Sequence, residues 1–69
     1  MPTETPMGKG AHLILDLDAD QDAGTIILND GNGNESEIAW KAPDASLDSF
    51  RWLAKSAASF HKIPLEVVE

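Results

Sequence analysis

The sequence contains no cysteine. Disulfide bonds, thiolate metal ligands and a cysteine nucleophile are therefore excluded. Because small secreted domains commonly depend on disulfides for their stability, this absence favours a protein of the reducing cytoplasm.

Long apolar segments are also missing. No apolar run approaches the roughly 20 residues that a membrane-spanning helix needs. The first ten residues, MPTETPMGKG, have no apolar stretch of the kind found in a signal peptide. Their prolines, glycines and polar residues predict a disordered N-terminal tail over residues 1–10.

Basic residues are scarce. Five lysines and arginines stand against twelve aspartates and glutamates, for a net charge of −7 in 69 residues. Direct binding of nucleic acid or of an anionic membrane is disfavoured, because both require positive charge. The balance favours a basic protein partner, although acidity can also serve solubility alone. A chain this short has little material for a deep pocket, which argues against an enzyme.

Three segments read as β-strands separated by turns. AHLILDL over 11–17, TIILN over 25–29 and ESEIAW over 35–40 carry β-formers or alternate polar with apolar residues. Aspartate and glycine dominate the two connections, and DGNGN over 30–34 is the clearest turn signal.

The remaining chain predicts one helix over about 46–62. An apolar stripe follows the spacing of a buried helix face and comprises Leu47, Phe50, Leu53, Ala54, Ala57 and Phe60. Asp44 or Ser46 can cap the start, and Pro64 disfavours continuation. Residues 65–69 are either a fourth edge strand or a packed tail. The predicted fold class is α+β: a three- or four-stranded antiparallel sheet with one helix on one face, forming a single domain over 11–69.

Strand parity predicts which side chains share a face. Pairing Leu15 with Ile26, and Ile26 with Ile38, leaves a three-residue loop at 31–33 in which glycine supplies the positive φ. The predicted inner face is then Leu13, Leu15, Leu17, Ile26, Leu28, Ile38 and Trp40. On the opposite face Ile14, Ile27 and Glu37 lie side by side.

Negative charge is concentrated in the middle of the chain. Nine acidic residues between Asp16 and Asp48 are opposed only by Lys41. The predicted outer sheet face is a short apolar strip rimmed by carboxylates, an arrangement typical of binding surfaces. Ordinary exposed strand formers, or coverage by the C-terminal segment, would explain the isoleucines equally well. The candidate partner-binding residues are Asp16, Asp18, Asp20, Asp22, Asp30, Glu35, Glu37, Ile14, Ile27 and Trp52.

In size and charge the chain resembles small phage-encoded acidic inhibitors of the anti-CRISPR type. No sequence motif is shared, and proteins of that type vary widely in fold. The resemblance implies an inhibitor that blocks a basic surface, for instance by presenting carboxylates where a nucleic acid presents phosphates. A nucleic-acid-binding protein or complex is then the expected partner.

Metal-binding and catalytic motifs do not match. The alternating Asp16, Asp18, Asp20 and Asp22 suggest calcium, but an EF-hand needs glycine at position six and glutamate at twelve, which no register supplies. A weak calcium site in this turn remains open. The two histidines, His12 and His61, lack metal-ligand spacing. We therefore predict no catalytic residue, metal or cofactor.

A second hypothesis rests on Trp52. This residue lies about 200° around the helix from Phe50 and so falls outside the apolar stripe. Exposed tryptophan is a frequent interface anchor, although Trp52 could also close a small core. The alternative function is an antitoxin- or assembly-type interaction module that uses apolar contacts around Trp52 or around Ile14 and Ile27. Either a monomer or a homodimer is compatible with the sequence.

Overall fold

A computed structural model describes residues 9–69 of the chain. The predicted tail falls largely outside this range, since residues 1–8 are not described. Four strands and one helix follow in the order β1 (His12–Asp18), β2 (Ala23–Asn29), β3 (Glu35–Trp40), α1 (Leu47–His61) and β4 (Leu65–Val68). The predicted segments are confirmed, with ends that differ by one or two residues.

The four strands form one sheet in the order β3-β2-β1-β4, and α1 packs on one side of it. The three N-terminal strands are antiparallel neighbours, whereas β4 runs parallel to β1. The α+β class is confirmed, but the sheet is mixed rather than wholly antiparallel. The helix is the crossover that allows β4 to return in the direction of β1.

The β1–β2 hairpin has the predicted register. Leu15 pairs with Ile26 and Leu13 pairs with Leu28. The Asp18 carboxylate shapes the turn by accepting hydrogen bonds from the backbone N–H groups of Asp20 and Gln21. Asp22 closes the turn with φ of 52°, a left-handed conformation that aspartate tolerates better than most residues.

The β2–β3 hairpin follows the predicted register only near its turn. Gly31 and Gly33 have φ of 82° and 94°, and Ile27 pairs with Glu37 as expected. A β-bulge then shifts the register, so Ile26 pairs with Ala39 rather than with Ile38. The extra residue in β3 sends Trp40 to the opposite side of the sheet, where it pairs with Thr25.

Two residues of the predicted inner face are exposed: the bulge turns Trp40 outward, whereas Ile38 remains on the helix side, beside Leu28 and Ile63, at the edge strand. Ile38 is 49% exposed and Trp40 is 63% exposed. The buried core is made by alternate residues of β1, by one residue of β2 and by the sheet-facing side of α1: Leu13, Leu15, Leu17, Ile26, Phe50, Ala54 and Ala58. The small alanines let the helix approach the leucines of β1 closely.

One glycine permits this close approach. A Cβ atom on Gly24 would lie 2.8 Å from the Phe50 ring, well inside van der Waals contact. Glycine at this position lets the aromatic ring lie directly against the backbone of β2.

Ser46 caps the helix, as one of the two predicted candidates. Its side chain accepts a hydrogen bond from the backbone N–H of Ser49, and Asp48 adds negative charge in the first turn. The helix ends at Lys62, whose φ is 58° and whose N–H donates to carbonyls of the last turn. The first β1–β4 bond follows shortly, from Leu13 N to Pro64 O.

The predicted apolar stripe of the helix is wrong at two positions. Leu53 is 53% exposed and Phe60 is 82% exposed, whereas Ala58, outside the predicted stripe, is buried. The face toward the sheet is narrow because small residues fill it, and the larger apolar side chains are left on the flank and the far side of the helix.

Candidate partner-binding surfaces

The sheet has one side turned away from the helix, which we call the outer sheet face. Parity follows from the buried residues of β1: because Leu13, Leu15 and Leu17 point to the core, the residues between them point outward. The strands carry five carboxylates in total, and all five lie on the outer sheet face: Asp16, Asp18, Glu35, Glu37 and Glu66. None of the four strands contains a lysine or an arginine.

Two adjacent rows cross the middle of this face. In the first, Glu37, Ile27, Ile14 and Glu66 lie side by side across all four strands. The two isoleucines are half-buried and the carboxylates at both ends are exposed. The first row thus places an apolar pair between two negative charges.

The second row is Trp40, Thr25, Asp16 and Val68. Trp40 adds a large exposed side chain next to the isoleucines, and Val68 is 44% exposed. Residues two apart on a strand are about 7 Å apart, so Asp16 and Asp18, like Glu35 and Glu37, form pairs of closely spaced negative charges.

Nothing within residues 9–69 covers this surface. The helix packs on the opposite side, and the C-terminal segment lies beside β1 as an edge strand rather than across the isoleucines. Coverage by the C-terminal segment, the alternative raised by the sequence, is therefore wrong. The outer sheet face therefore exposes an apolar centre surrounded by an acidic rim.

The acidic turn between β1 and β2 is partly neutralised. The Lys41 Nζ atom lies 3.4 Å from the Asp22 carboxylate and also donates to the carbonyl oxygens of Ala42 and Ala45. The Lys41 side chain is fully buried. This cation therefore ties the turn to the segment before the helix, and Asp22 is paired rather than free. Asp20 remains exposed at the tip.

The second turn uses its carboxylate structurally. Asp30 accepts hydrogen bonds from the Asn34 side chain and from the backbone N–H groups of Asn32 and Asn34. These bonds, the Asn34 side-chain bond foremost, hold the pKa of Asp30 below its ordinary value. Glu35 accepts a bond of 3.1 Å from the Asn29 amide. Asp30 thus organises the loop that starts β3.

The structure brings together six of the ten predicted partner-binding residues on the outer sheet face: Ile14, Ile27, Asp16, Asp18, Glu35 and Glu37. Asp20 and Asp22 lie in the turn at one end of the hairpin, and Asp30 lies at the other end. Trp52 lies on the helix, away from all of them.

Sequence reasoning missed two members of this surface. Glu66 faces outward because it pairs with Ile14, and the sequence alone does not indicate that β4 joins β1. Simple alternation places Trp40 in the core because it does not reveal the bulge.

A second exposed apolar surface lies on the helix, and we call it the helix outer stripe: Trp52, Leu53, Ser56 and Phe60. Trp52 is 71% exposed, which confirms that it lies outside the core. Shallow grooves run along both sides of its ring; one is bordered by Leu53 and Ser49, the other by Phe60 and Ser59. The nearby charges are mixed, with Asp48 and Lys55 on the same flank.

Residues 9–69 contain neither a metal-binding cluster nor a helix suited to span a membrane. Among residues 9–69 no three histidine or acidic side chains gather as a metal-binding group. In the same part of the chain no helix has the length and apolar character to span a membrane.

Comparison with protein-family models, with curated proteins and with solved structures finds no match for this chain. Its function must therefore be argued from the two surfaces themselves.

Proposed function

We propose that the protein is a non-enzymatic binding protein whose outer sheet face docks on a basic surface of a protein partner and blocks it. The observation that carries the proposal is the placement of five carboxylates, and no cation, on the strands of this face. Such a surface attracts a basic partner over several ångströms and disfavours acidic ones.

The apolar centre supports binding rather than mere solubility. Solubility needs charge alone, whereas the outer sheet face also exposes Trp40 beside Ile14 and Ile27. Tryptophan is enriched among the residues that dominate binding energies, and a surrounding polar rim excludes water from such contacts. We infer that the carboxylates direct the encounter and that the apolar centre provides the short-range affinity.

The finer form of the proposal is competition with a nucleic acid. A groove that holds phosphates is lined by lysine and arginine and gains affinity when bound negative charge releases counterions. The paired carboxylates on β1 and β3 are suited to occupy such a groove. The protein would then act as an inhibitor of a nucleic-acid-binding protein or complex, in the manner of the anti-CRISPR type that it resembles in size and charge.

A second candidate function is an antitoxin- or assembly-type interaction module. The specific observation in its favour is the exposed Trp52 on the far side of the molecule. If apolar contacts there carry the affinity for the partner, replacing Trp52 by alanine weakens binding far more than removing two carboxylates.

The test compares two variants that each lose two negative charges. D16N/E37Q removes carboxylates from the centre of the outer sheet face, and E4Q/D44N removes two at sequence positions outside residues 12–40, which hold the first three strands. The partner, captured from the native host at low salt and then purified, is titrated by calorimetry against each variant. We expect about tenfold weaker binding for D16N/E37Q and less than about twofold for E4Q/D44N.

Salt provides the second arm of the test. Binding of the unmodified protein should weaken steadily as sodium chloride rises from about 50 to about 500 mM, because the charges are exposed and screened. Equal effects of the two double variants, or binding that does not respond to salt, would contradict the proposal. Displacement of the partner's nucleic acid at low salt would establish the finer form.

A further inference from the structure

We infer that the helix outer stripe is the interface of a homodimer in which two copies pack with their helices antiparallel. In this arrangement Phe60 of each copy enters the groove between Trp52 and Leu53 of the other. Ser56 lies at the centre of the contact. The inference concerns the opposite side of the molecule from the proposed acidic binding surface and does not depend on it.

The stripe occupies the side of the helix opposite the core. Phe50, Ala54 and Ala58 define the sheet-facing side, and at about 100° per residue Ser56 lies nearly opposite their mean direction. Trp52 and Phe60 flank Ser56 one turn away on each side, and are 71% and 82% exposed. Together with Leu53 they form an apolar patch over two turns of the helix, and an exposed patch of this kind commonly marks a contact with a partner.

The spacing along the helix makes the stripe complementary to itself. Trp52 and Phe60 each lie four residues from Ser56, which is about 6 Å along the axis. A two-fold axis through Ser56 therefore brings Phe60 of one copy level with Trp52 of the other, with Leu53 one residue away. A two-fold interface requires this reciprocity: if Phe60 of the first copy contacts Trp52 of the second, then Trp52 of the first copy contacts Phe60 of the second.

The shallow groove that receives Phe60 already exists in a single copy. It is bordered by Asp48, Ser49, Trp52, Leu53 and Ser56. The two serines are small and leave the floor of the groove low, while the indole ring forms a wall. Antiparallel packing fills two such grooves at once, one in each copy.

The charges beside the stripe select the antiparallel arrangement. Asp48 lies in the first turn and Lys62 caps the last, both on the same flank. When the helices run antiparallel about Ser56, Asp48 comes within about 3 Å, along the axis, of the level of Lys62 in the second copy. A parallel arrangement would keep Asp48 and Lys62 at opposite ends of the contact and leave them unpaired. The same arrangement brings the two copies of Lys55 close together near the centre of this flank, where their long exposed side chains can extend apart into solvent.

The area of the patch sets the strength of the dimer. Aromatic side chains bury about 150–250 Å² each when fully covered, so two copies of the stripe bury somewhat less than the roughly 1,200 Å² of a standard interface. We therefore expect a weak, concentration-dependent dimer with a dissociation constant in the micromolar range or above.

Salt should strengthen this dimer. Each copy carries a net charge of −7, so two copies repel one another, and screening reduces that repulsion. This is the reverse of the salt response expected for a basic partner at the outer sheet face. Because the helix lies on the inner side of the sheet, dimerisation leaves both outer sheet faces free and turned away from each other. The dimer would then be bivalent, which raises avidity for a partner with repeated basic sites.

The experiment is sedimentation equilibrium of the full chain alone, from about 10 µM to about 1 mM protein, at low and at high salt. We expect the weight-average mass to rise from 7.4 kDa toward twice that value, and to rise earlier at high salt. A chain that remains monomeric throughout would overturn the inference. Monomeric behaviour combined with Trp52-dependent capture of another protein would assign the stripe to a different partner.

The two exposed tryptophans supply matched variants. W52S should raise the dissociation constant at least about tenfold, whereas W40S, on the outer sheet face, should leave it within about twofold. If W40S weakened the dimer and W52S did not, the interface would lie on the outer sheet face, which would contradict the inference. Circular dichroism of both variants establishes that they are folded.

Charge exchange tests the orientation of the two helices. D48K alone should weaken the dimer, and D48K/K62D should restore most of the loss, because the cross-copy pair is re-formed with reversed signs. Aspartate is well suited to the left-handed conformation at position 62. Failure of the double variant to recover any affinity would contradict the antiparallel register.

Discussion

The outer sheet face and the helix outer stripe each expose a tryptophan, yet the charges around the two residues differ. Trp40 lies on a sheet whose strands carry five carboxylates and no cation, whereas Trp52 lies on a helix with Asp48, Arg51 and Lys55. The first surface suits a partner of opposite charge. The second is nearly neutral and suits a second copy of the same acidic chain. We therefore propose different partners for the two tryptophans because of the charge around each of them, since their exposures are similar.

The two surfaces also differ in how the chain fixes them. The outer sheet face depends on the pairing of four strands, and its central row combines one residue from each. The helix outer stripe depends on local geometry alone, because its members lie within nine residues of one another. Because one core joins the sheet and the helix, a change in that core should still weaken both surfaces together.

The largest expected effect on stability comes from adding a side chain at Gly24, where the helix packs closest to the sheet. In G24A the new methyl group meets the Phe50 ring, which is 4% exposed and closely packed. We expect the free energy of unfolding to fall by about 1 to 3 kcal/mol, the usual cost of overpacking, as measured by urea denaturation.

A second substitution controls for this mechanism. G24A/F50L has a smaller, non-aromatic side chain opposite the added methyl group, so the double variant should lose less stability than the sum of the two single changes. Strict additivity would mean that Gly24 matters for its backbone freedom rather than for the ring.

An intermediate effect on stability is expected from Lys41, the cation that joins the β1–β2 turn to the segment before the helix. K41M removes the buried ammonium group that joins Asp22 to the carbonyls of Ala42 and Ala45. Lost hydrogen bonds should lower the free energy of unfolding by about 1 to 2 kcal/mol.

D22N is the matched control for K41M. It removes the ion pair but keeps both carbonyl bonds, and the Asp22 side chain is 65% exposed. Its effect on stability should therefore be small, as for exposed ion pairs in general. If D22N costs as much as K41M, the ion pair rather than the carbonyl contacts holds the loop.

The smallest expected effect on stability concerns Asp30, whose carboxylate accepts hydrogen bonds within the β2–β3 turn. Its pKa should lie below the ordinary value because the Asn34 side chain and two backbone N–H groups donate to it. N34A should move the pKa upward. Carboxyl carbon shifts followed by NMR through an acid titration measure both values.

The sign of the pH effect follows from the direction of that shift. Since the folded-state pKa is below the unfolded-state value, ionised Asp30 favours the folded state at neutral pH. That contribution is present above the unfolded pKa and disappears as the pH falls through the folded one. An unchanged pKa in N34A would contradict the role assigned to the turn.

Much of this architecture was readable from the sequence because its signals are local. The Asp-Gly-Asn-Gly-Asn turn fixed the hairpin near Ile27 and Glu37, and the Ser46 cap fixed the start of the helix. Alternation in β1 correctly separated Leu13 and Leu15 from Ile14. These local signals place six of the candidate residues on one surface.

The sequence predictions are wrong where tertiary packing overrides the local alternation of polar and apolar residues. The bulge at Ile38 has no signal in ESEIAW, and it moved Trp40 out of the predicted core. The direction of β4 depends on the helical crossover, which single-sequence alternation cannot reveal, and so Glu66 was missed. Leu53 and Phe60 follow helical spacing but are displaced from the core by alanines.

The measurement that most directly tests the polarity of the molecule is a backbone amide NMR titration with a short arginine-rich peptide. The peptide carries positive charge and no fold, so it reports where negative potential and apolar contact coincide. We expect the largest shifts at Ile14, Asp16, Ile27, Glu37 and Trp40. These shifts should diminish at high salt, and Trp52 and Phe60 should remain unperturbed. Shifts spread evenly over the sheet and the helix, or centred on Trp52, would contradict it.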